Sequence, residues 1–218
     1  MADEEDDDAR RERMVREQIV ARGVTDARVL AAMRRVPRHR FVPAALAGNA
    51  YADTPLAIGH GQTISQPYIV ARMCELAALT PTSRVLEIGT GCGYQAAVLA
   101  QLTNQVYTIE IVEALAQRAE ATLRELGLFH VHVRCGDGSC GWPEAAPFDA
   151  IVVAAAPEEV PQPLLDQLGA DGRLVVPVGG AQQDLRLYQR TAQGVTMEPV
   201  LAVTFVPMTG SVGGDRPR

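Results

Sequence analysis

The sequence contains no lysine, since all 20 of its basic residues are arginines. A mechanism that uses a lysine Schiff base or an ammonium base is therefore excluded. The chain also lacks the run of ~20 apolar residues that spans a bilayer. Its cysteines are few and form no CxxC pair: Cys74, Cys92, Cys135 and Cys140. Neither a zinc knuckle nor a thioredoxin-type site is indicated, and we predict no metal.

Negative charge is concentrated at the start of the chain. The formal net charge is −6, and residues 3–8 are all acidic, so the rest of the chain is about neutral. A neutral body argues against electrostatic capture of nucleic acid, which needs a basic surface. The first residues do not resemble a secretion signal, so we expect a cytoplasmic protein that binds no membrane. Residues 1–9 are predicted to be a disordered acidic tail.

Basic side chains cluster around the segment VPRHRFVP, residues 36–43. Its two prolines disfavour both a helix and a central strand, which predicts a docking loop. The cluster consists of Arg34, Arg35, Arg38 and Arg40. We interpret it as a solvated face, with an anion-facing patch as the alternative.

The order of predicted elements indicates an α/β fold. Residues 10–83 are predicted to form a helical and loop extension, with two short helices broken at Gly23, a loop at 51–66, and a helix from Pro67. Residues 84–218 alternate strands with helices and end in two strands without an intervening helix. This pattern predicts a Rossmann-like, doubly wound, mostly parallel sheet with an antiparallel C-terminal edge. The two parts are expected to form one compact unit.

The segment EIGTGCG, residues 87–93, lies between a predicted strand and a predicted helix. Glycine allows backbone to approach a ligand closely, and a helix N-terminus offers free N–H groups. The spacing is GxGxG, whereas the dinucleotide fingerprint is GxGxxG. An acid at Glu87 would repel a pyrophosphate but suits a ligand with an ammonium, a sulfonium and one carboxylate, which is S-adenosylmethionine. The residues of this turn predicted to bind the cofactor are Glu87, Gly89, Thr90, Gly91 and Gly93.

Two further acids follow the next predicted strands. Glu110 lies about 20 residues after the first glycine of the turn, where an acid accepts the ribose hydroxyls of a nucleoside. Asp137 ends the following strand and is placed to take the adenine amino group. Each acid alone has an ordinary structural explanation, but three at successive strand ends favour one shared ligand. Ile111 and Gly138 complete the predicted cofactor set.

From about residue 13 to residue 209, the sequence resembles the protein L-isoaspartyl O-methyltransferases. The resemblance rests on VPRHRFVP, AYADTPLAIGHGQTISQP (50–67), RVLEIGTGCGYQAAVLA (84–100) and GDGSCGWPEAAPFDAI (136–151). GQTISQP is its most diagnostic part. The resemblance implies methyl transfer from S-adenosylmethionine to the free carboxylate of L-isoaspartyl or D-aspartyl residues in damaged proteins or peptides. S-adenosylhomocysteine is the product, and repair continues through a succinimide.

The resemblance also assigns the acceptor site. Its active-site serine falls on Ser65, and Thr209 matches a position near the cofactor. The acceptor-site loop is predicted to contain Ile58, Gly59, Gln62, Thr63 and Ile64. A carboxylate is ionised at pH 7, so Ser65 is expected to orient it by hydrogen bonding. The alternative for this serine is a cap on the helix that starts at Pro67.

Other functions remain open at this point. A relative that modifies one aspartate of a peptide natural product would share these motifs. A nucleobase N-methyltransferase would need [DNS]PP[YF] where residues 154–157 read AAAP. A nicotinamide-dependent oxidoreductase and a cofactor-free binding module come from different functional classes. We expect a monomer.

Overall fold

The computed structural model describes residues 2–211, and side chains are described for residues 7–211. The chain begins with helix α1 (Ala2–Met14), which continues through a π-helical turn (Val15–Ile19) and a 3₁₀ turn (Val20–Arg22). Gly23 ends this run in a left-handed conformation, with φ 86°. Helix α2 (Ala27–Arg35) follows, and its N-cap is the Asp26 side chain, which accepts from two backbone N–H groups.

The prediction of a disordered tail at residues 1–9 is wrong for residues 2–9, which belong to α1; Met1 lies outside the described residues. Asp7 forms an ion pair with Arg10, and Asp8 forms one with Arg11. Pairs of this spacing stabilise a helix, and acidic residues near its N-terminus complement the helix dipole. The acidic composition is therefore compatible with helix formation.

Residues 51–66 are not the irregular loop that we predicted, because they contain a two-stranded antiparallel sheet. Strand β1 (Leu56–Gly59) pairs with strand β2 (Gln62–Ile64). Ile58 and Ile64 are buried and anchor this hairpin on the body of the protein. Helix α3 (Pro67–Ala77) begins directly after it, with proline in its first turn.

The remaining elements alternate as predicted. They are β3 (Arg84–Ile88), α4 (Tyr94–Leu99), β4 (Gln105–Glu110), α5 (Glu113–Glu125), β5 (Val131–Cys135), β6 (Phe148–Val153), α6 (Gln162–Asp166), β7 (Leu168–Val178), β8 (Gln183–Thr191) and β9 (Gly194–Val203). They form a seven-stranded sheet of order β5-β4-β3-β6-β7-β8-β9. The first five strands are parallel, and β8 and β9 are antiparallel. This confirms the Rossmann-like class and its antiparallel C-terminal edge.

Apolar cores cover both faces of the sheet. One contains side chains of α1 to α4 together with Val85, Val106 and Val152 of the central strands. The other contains alternate residues of the same strands, among them Leu86 and Ile151. The first core joins the predicted extension to the predicted Rossmann-like part. Within residues 2–211, no helix is long and apolar enough to cross a membrane.

Candidate active site

The three strand-end acids lie at neighbouring positions of the sheet. Parallel strands β3, β4 and β5 are adjacent, with Glu87 opposite Thr108 and Glu110 opposite Cys135. Their carboxyl ends therefore meet at one edge, where open α/β sheets bind ligands. The structure gives each acid a different environment.

The glycine turn follows β3. Gly89, Gly91 and Gly93 have φ values of 91°, 56° and 90°, which lie in the region that favours glycine. Gly89 and Gly91 line a cleft, and the Gly89 N–H donates to the Ile109 carbonyl at 2.8 Å. Gly93 instead faces α5, because a Cβ added there would lie 3.3 Å from the Ala119 Cβ. Gly93 therefore allows the glycine turn to pack closely against α5.

Glu110 lines the cleft, and its carboxylate is held by backbone. Its Oε2 accepts from the Gly91 N–H at 2.7 Å, and its Oε1 accepts from the Val112 N–H at 3.0 Å. Because each carboxylate oxygen has two lone pairs, both oxygens retain capacity to accept from a ligand. Glu110 thus fixes the glycine turn and presents an acceptor to the cleft.

Glu87 lies beneath the cleft and is fully buried. Thr108 Oγ1 donates to its Oε2 at 2.5 Å, and the Thr108 hydroxyl also contacts that of Thr90 at 2.6 Å. Burial raises the pKa of Glu87 to about 8; the Thr108 hydrogen bond opposes this increase and the nearby Glu110 charge adds to it. Oε1 has no hydrogen-bond partner among the described residues. This carboxyl group is therefore mostly protonated at pH 7.

Asp137 lies at the rim and holds the C-terminal segment. Its Oδ1 accepts from the Ser139 N–H at 2.9 Å, while Oδ2 accepts from the Ser211 N–H at 2.7 Å and from the Ser211 hydroxyl. Partial burial raises its pKa, but these hydrogen bonds more than offset burial and hold the pKa at about 2. Asp137 is therefore ionised and ties residue 211 to the end of β5.

The cleft itself encloses about 790 Å³, including its open mouth. Eleven predicted residues line it: Gln62, Thr63, Ile64, Ser65, Gly89, Thr90, Gly91, Glu110, Ile111, Gly138 and Thr209. Thr209 reaches the cleft because the C-terminal segment returns to the sheet, where the Met208 N–H donates to the Ala156 carbonyl at 2.8 Å. Gly138 is required where it stands, since a Cβ there would lie 2.4 Å from Ile88 Cγ2.

Five predicted residues do not line the cleft. Glu87, Gly93 and Asp137 lie beneath it, against α5 and at the rim, as described above. Ile58 packs against the glycine turn, because a Cβ on Gly91 would lie 3.3 Å from Ile58 Cδ1. Gly59, at φ 93°, begins the turn of the β1–β2 hairpin. These residues shape the site without lining it.

Ser65 lies at the junction of two cavities. It lines the cleft and also a second, open cavity of about 1100 Å³, and Thr63 does the same. Residues 201–206 and Tyr68 form much of the second cavity. The N-cap of α3 is Gln66, and no side-chain hydrogen bond caps this helix. The alternative role of Ser65 as a helix cap is therefore not supported.

Sequence reasoning missed several residues of the cleft wall. Cys92, Tyr94 and Gln95 line it where the glycine turn enters α4. The Gln95 side chain is buried, and its Nε2 has no partner among the described residues. No sequence signal singled them out, because a cysteine within a glycine turn and a tyrosine or glutamine at a helix start do not by themselves indicate a ligand.

The orphaned polar atoms provide a test of the predicted cofactor. An unpartnered acceptor at Glu87 Oε1 and an unpartnered donor at Gln95 Nε2 suit a ligand that carries both an ammonium and a carboxylate. Glu110 offers acceptor capacity for hydroxyl groups. The residues present therefore fit S-adenosylmethionine.

Comparisons with known proteins show the family of the chain. The model of the protein-L-isoaspartate(D-aspartate) O-methyltransferase family matches residues 9–213. A protein-L-isoaspartate O-methyltransferase of Picosynechococcus sp. is 57% identical over 202 residues, which cover 93% of this chain and 91% of that protein. The enzyme of the same name from Gloeobacter violaceus is 60% identical over 198 residues, covering 90% and 97%.

Solved structures are similar as well. A structure titled protein-L-isoaspartate O-methyltransferase has a TM-score of 0.84 and 30% identity, covering 93% of this chain and 67% of that one. A second, from Plasmodium falciparum and in complex with S-adenosyl-L-homocysteine, has a TM-score of 0.78 and 25% identity, covering 91% and 98%. The chain belongs to the protein-L-isoaspartate(D-aspartate) O-methyltransferase family.

Proposed function

We propose that this protein transfers a methyl group from S-adenosylmethionine to the free carboxylate of L-isoaspartyl and D-aspartyl residues in damaged proteins and peptides. The observation that carries the proposal is the position of Ser65, which lines both the cleft beside the glycine turn and the open second cavity. One residue can thus contact two reactants that enter from different sides. Family membership argues against the nicotinamide-dependent and cofactor-free alternatives.

The cleft residues are assigned to the cofactor by the polar atoms that they offer. Glu110 would accept hydrogen bonds from the ribose hydroxyls, and the glycine turn would allow close backbone approach. Gln95 would supply a donor for the amino-acid part, and Glu87 would act on it from beneath the cleft. Gly138, beside Asp137, would hold the adenine. The bound cofactor supplies an electrophilic methyl group on a sulfonium.

The acceptor needs orientation and no general base. Its carboxylate is already ionised at pH 7, so displacement depends on closeness, alignment and exclusion of water. Ser65 is half-buried, and its hydroxyl is assigned to donate to the acceptor carboxylate. Thr63, like Ser65, lines both cavities. The methyl ester that forms has a better leaving group than the free carboxylate, so succinimide closure follows without further catalysis.

The second cavity is assigned to the peptide chain on either side of the modified residue. Tyr68 and Phe205 contribute aromatic surface to it, and Arg22 lies at its edge, where it pairs with Asp53. Its openness accommodates an extended segment without selecting one long sequence. A repair enzyme that acts on many damaged proteins requires this tolerance.

We further propose that the protein acts as a cytoplasmic monomer. Its four cysteines are free, which suits a reducing compartment. Light scattering after size-exclusion chromatography measures the mass, and a dimer at assay concentration would contradict the first part.

The test of the acceptor assignment is Ser65→Ala. Methanol release from an isoaspartyl peptide methylated by the enzyme measures turnover, and calorimetry measures the Kd for S-adenosylhomocysteine. Loss of one hydrogen bond to a charged group is expected to lower kcat about 10- to 100-fold, with the Kd unchanged. Thr82→Ala removes an exposed hydroxyl outside the cleft and serves as the control. A Ser65→Ala enzyme with full turnover would refute the assignment.

A further inference from the structure

Arg38 is the largest fully buried side chain within residues 7–211, although it belongs to the basic cluster that we predicted to be a solvated face. That prediction is correct for its exposed neighbours Arg34, Arg35 and Arg40 and wrong for Arg38. Burial lowers the pKa of Arg38, but a guanidinium group stays protonated in proteins. A permanent positive charge therefore lies inside the molecule.

This charge has no carboxylate partner among the described side chains, residues 7–211. Arg38 Nε donates to the Ala50 carbonyl at 2.7 Å, and Nη2 donates to the Ser65 carbonyl at 2.8 Å. Nη1 has no hydrogen-bond partner within the same residues. The guanidinium carbon lies 4.7 Å from the centre of the Tyr94 ring. Carbonyl dipoles and an aromatic face solvate the cation in part, but they do not neutralise it.

The carbonyl groups of Ala50 and Ser65 lie on either side of the β1–β2 hairpin, which contains the predicted acceptor-site loop. Ala50 precedes the β1–β2 hairpin, and Ser65 follows it, so one rigid guanidinium joins both ends. A lysine cannot replace this arrangement, since its ammonium is a point charge without the planar fork of donors. Arg38 therefore fixes the backbone from which the Ser65 hydroxyl projects.

The same group lies directly behind the cleft wall. Ser65, Cys92 and Tyr94 line the cleft, and all three interact with Arg38 by hydrogen bonding, charge or ring contact. A carboxylate that accepts from the Ser65 hydroxyl is separated from the guanidinium by the width of one residue. Because Arg38 is fully buried, solvent screens this attraction less than it screens charges at the protein surface.

We propose that Arg38 is a positioning residue for the acceptor: it fixes Ser65 through the backbone, and its unpaired charge selects a free carboxylate at the acceptor site. The inference rests on the proposed function, because it takes the acceptor to be a carboxylate. The cofactor product is less sensitive to this charge, since its amino-acid part carries an ammonium and a carboxylate that cancel. Selectivity for the charged acceptor is therefore the property that depends on Arg38.

The experiment compares two peptides that differ only in charge. One carries an isoaspartyl residue, and the other carries the corresponding carboxamide in place of the free carboxylate. Their Kd values are measured in the presence of S-adenosylhomocysteine for the wild type, Arg38→Met and Arg38→Lys, together with kcat for the first peptide. Arg40→Met, which removes an exposed arginine two residues away, is the matched control. Kd for S-adenosylhomocysteine and thermal unfolding report on the integrity of each variant.

Arg38→Met is expected to reduce the preference for the anionic peptide roughly tenfold, with the Kd for S-adenosylhomocysteine within about twofold of the wild type. Arg38→Lys keeps the charge and loses the fork, so it is expected to keep the preference while kcat falls about 10- to 100-fold. If Arg38→Met does not fold, the lysine variant decides: full kcat overturns the proposal, and reduced kcat with intact cofactor binding supports it.

Two other outcomes count against Arg38. An unchanged peptide preference in a folded Arg38→Met enzyme overturns the electrostatic part. If the variant binds S-adenosylhomocysteine and both peptides more weakly by the same factor, Arg38 stabilises the fold and has no specific role toward the acceptor. Failure of the proposed function looks different, because the wild-type enzyme itself would then bind S-adenosylhomocysteine and leave isoaspartyl peptides unmethylated.

Discussion

Replacing Glu87 by glutamine is expected to remove a pH dependence from the stability of the cofactor-free protein. Glu87 is fully buried, and burial raises its pKa from 4.5 to about 8. Between these two pH values the folded protein keeps the Glu87 proton and the unfolded chain has lost it. Because the unfolded state then binds fewer protons, the free energy of unfolding falls as pH rises. Glutamine has nearly the same shape and does not titrate.

The magnitude follows from the two pKa values. Each pH unit inside the window changes the contribution of Glu87 by about 1.4 kcal/mol, which amounts to roughly 5 kcal/mol as an upper limit. The stabilising effect of the proton is complete below pH 4.5 and is lost as pH rises through about 8. The substitution also changes the free energy of unfolding by an amount that does not vary with pH, because the amide does not titrate. Oε1 of Glu87 already has no partner among the described residues. The expected signal is therefore the change of the free energy of unfolding with pH, and it does not depend on that constant amount.

Chemical denaturation of both proteins at pH 5, 6, 7 and 8, without cofactor, measures this slope. The difference in the free energy of unfolding, Glu87→Gln minus wild type, should rise by about 1 kcal/mol or more for each pH unit. All other titrating groups are common to both proteins and cancel. A difference that is flat across this range would show that Glu87 titrates normally, and the burial argument would be wrong.

Two further predictions concern the cleft and the thiols. Glu110→Gln should weaken S-adenosylhomocysteine binding about 10- to 100-fold by calorimetry, because an amide offers one acceptor oxygen to a site where two carboxylate oxygens hold the N–H groups of Gly91 and Val112; an unchanged Kd would contradict its assignment to the ribose. In a thiol titration at pH 8, the exposed Cys135 and Cys140 should react quickly. Burial raises the pKa of Cys92 to about 11 and that of Cys74 higher still, so these two buried thiols should react only after denaturation. Four fast thiols in the native protein would contradict this burial.

Much of the fold could be predicted because its signals are local. Apolar runs of strand length alternate with helical segments, and the glycine turn marks the end of β3. The hairpin at residues 56–64 was missed because its strands are short and its two anchoring side chains, Ile58 and Ile64, are separated by polar residues. The first part of helix α1, residues 2–9, was missed because acidic composition was weighed above spacing, although Asp7 and Asp8 have arginine partners three residues later.

The site was predicted in position and less well in detail. Strand ends place acids at one edge of a parallel sheet, so Glu110 and its neighbours could be located from sequence. Side-chain direction was harder to predict. Glu87 shares its face of β3 with Val85, whereas Leu86 and Ile88 face the other core, and which face lies nearer the ligand depends on packing. Arg38 and Gln95 gave no signal at all, since burial of a polar side chain depends on contacts across the whole chain.

The three acids were predicted to serve one shared ligand, but they do not act as one negative cluster. At pH 7 Glu87 is mostly protonated, and Asp137 is ionised but committed to Ser139 and Ser211. Glu110 alone presents acceptor oxygens at the cleft surface. A positive ligand group near Glu87 would favour its ionised form, so the buried carboxyl can meet an ammonium at the moment of binding without carrying an uncompensated charge before it. Arg38 is the complementary case, because a guanidinium cannot release its proton and must keep its charge until an anion arrives. In the proposed reaction, the opposite charges of the two substrates would therefore meet one group that can change its protonation state, Glu87, and one that cannot, Arg38.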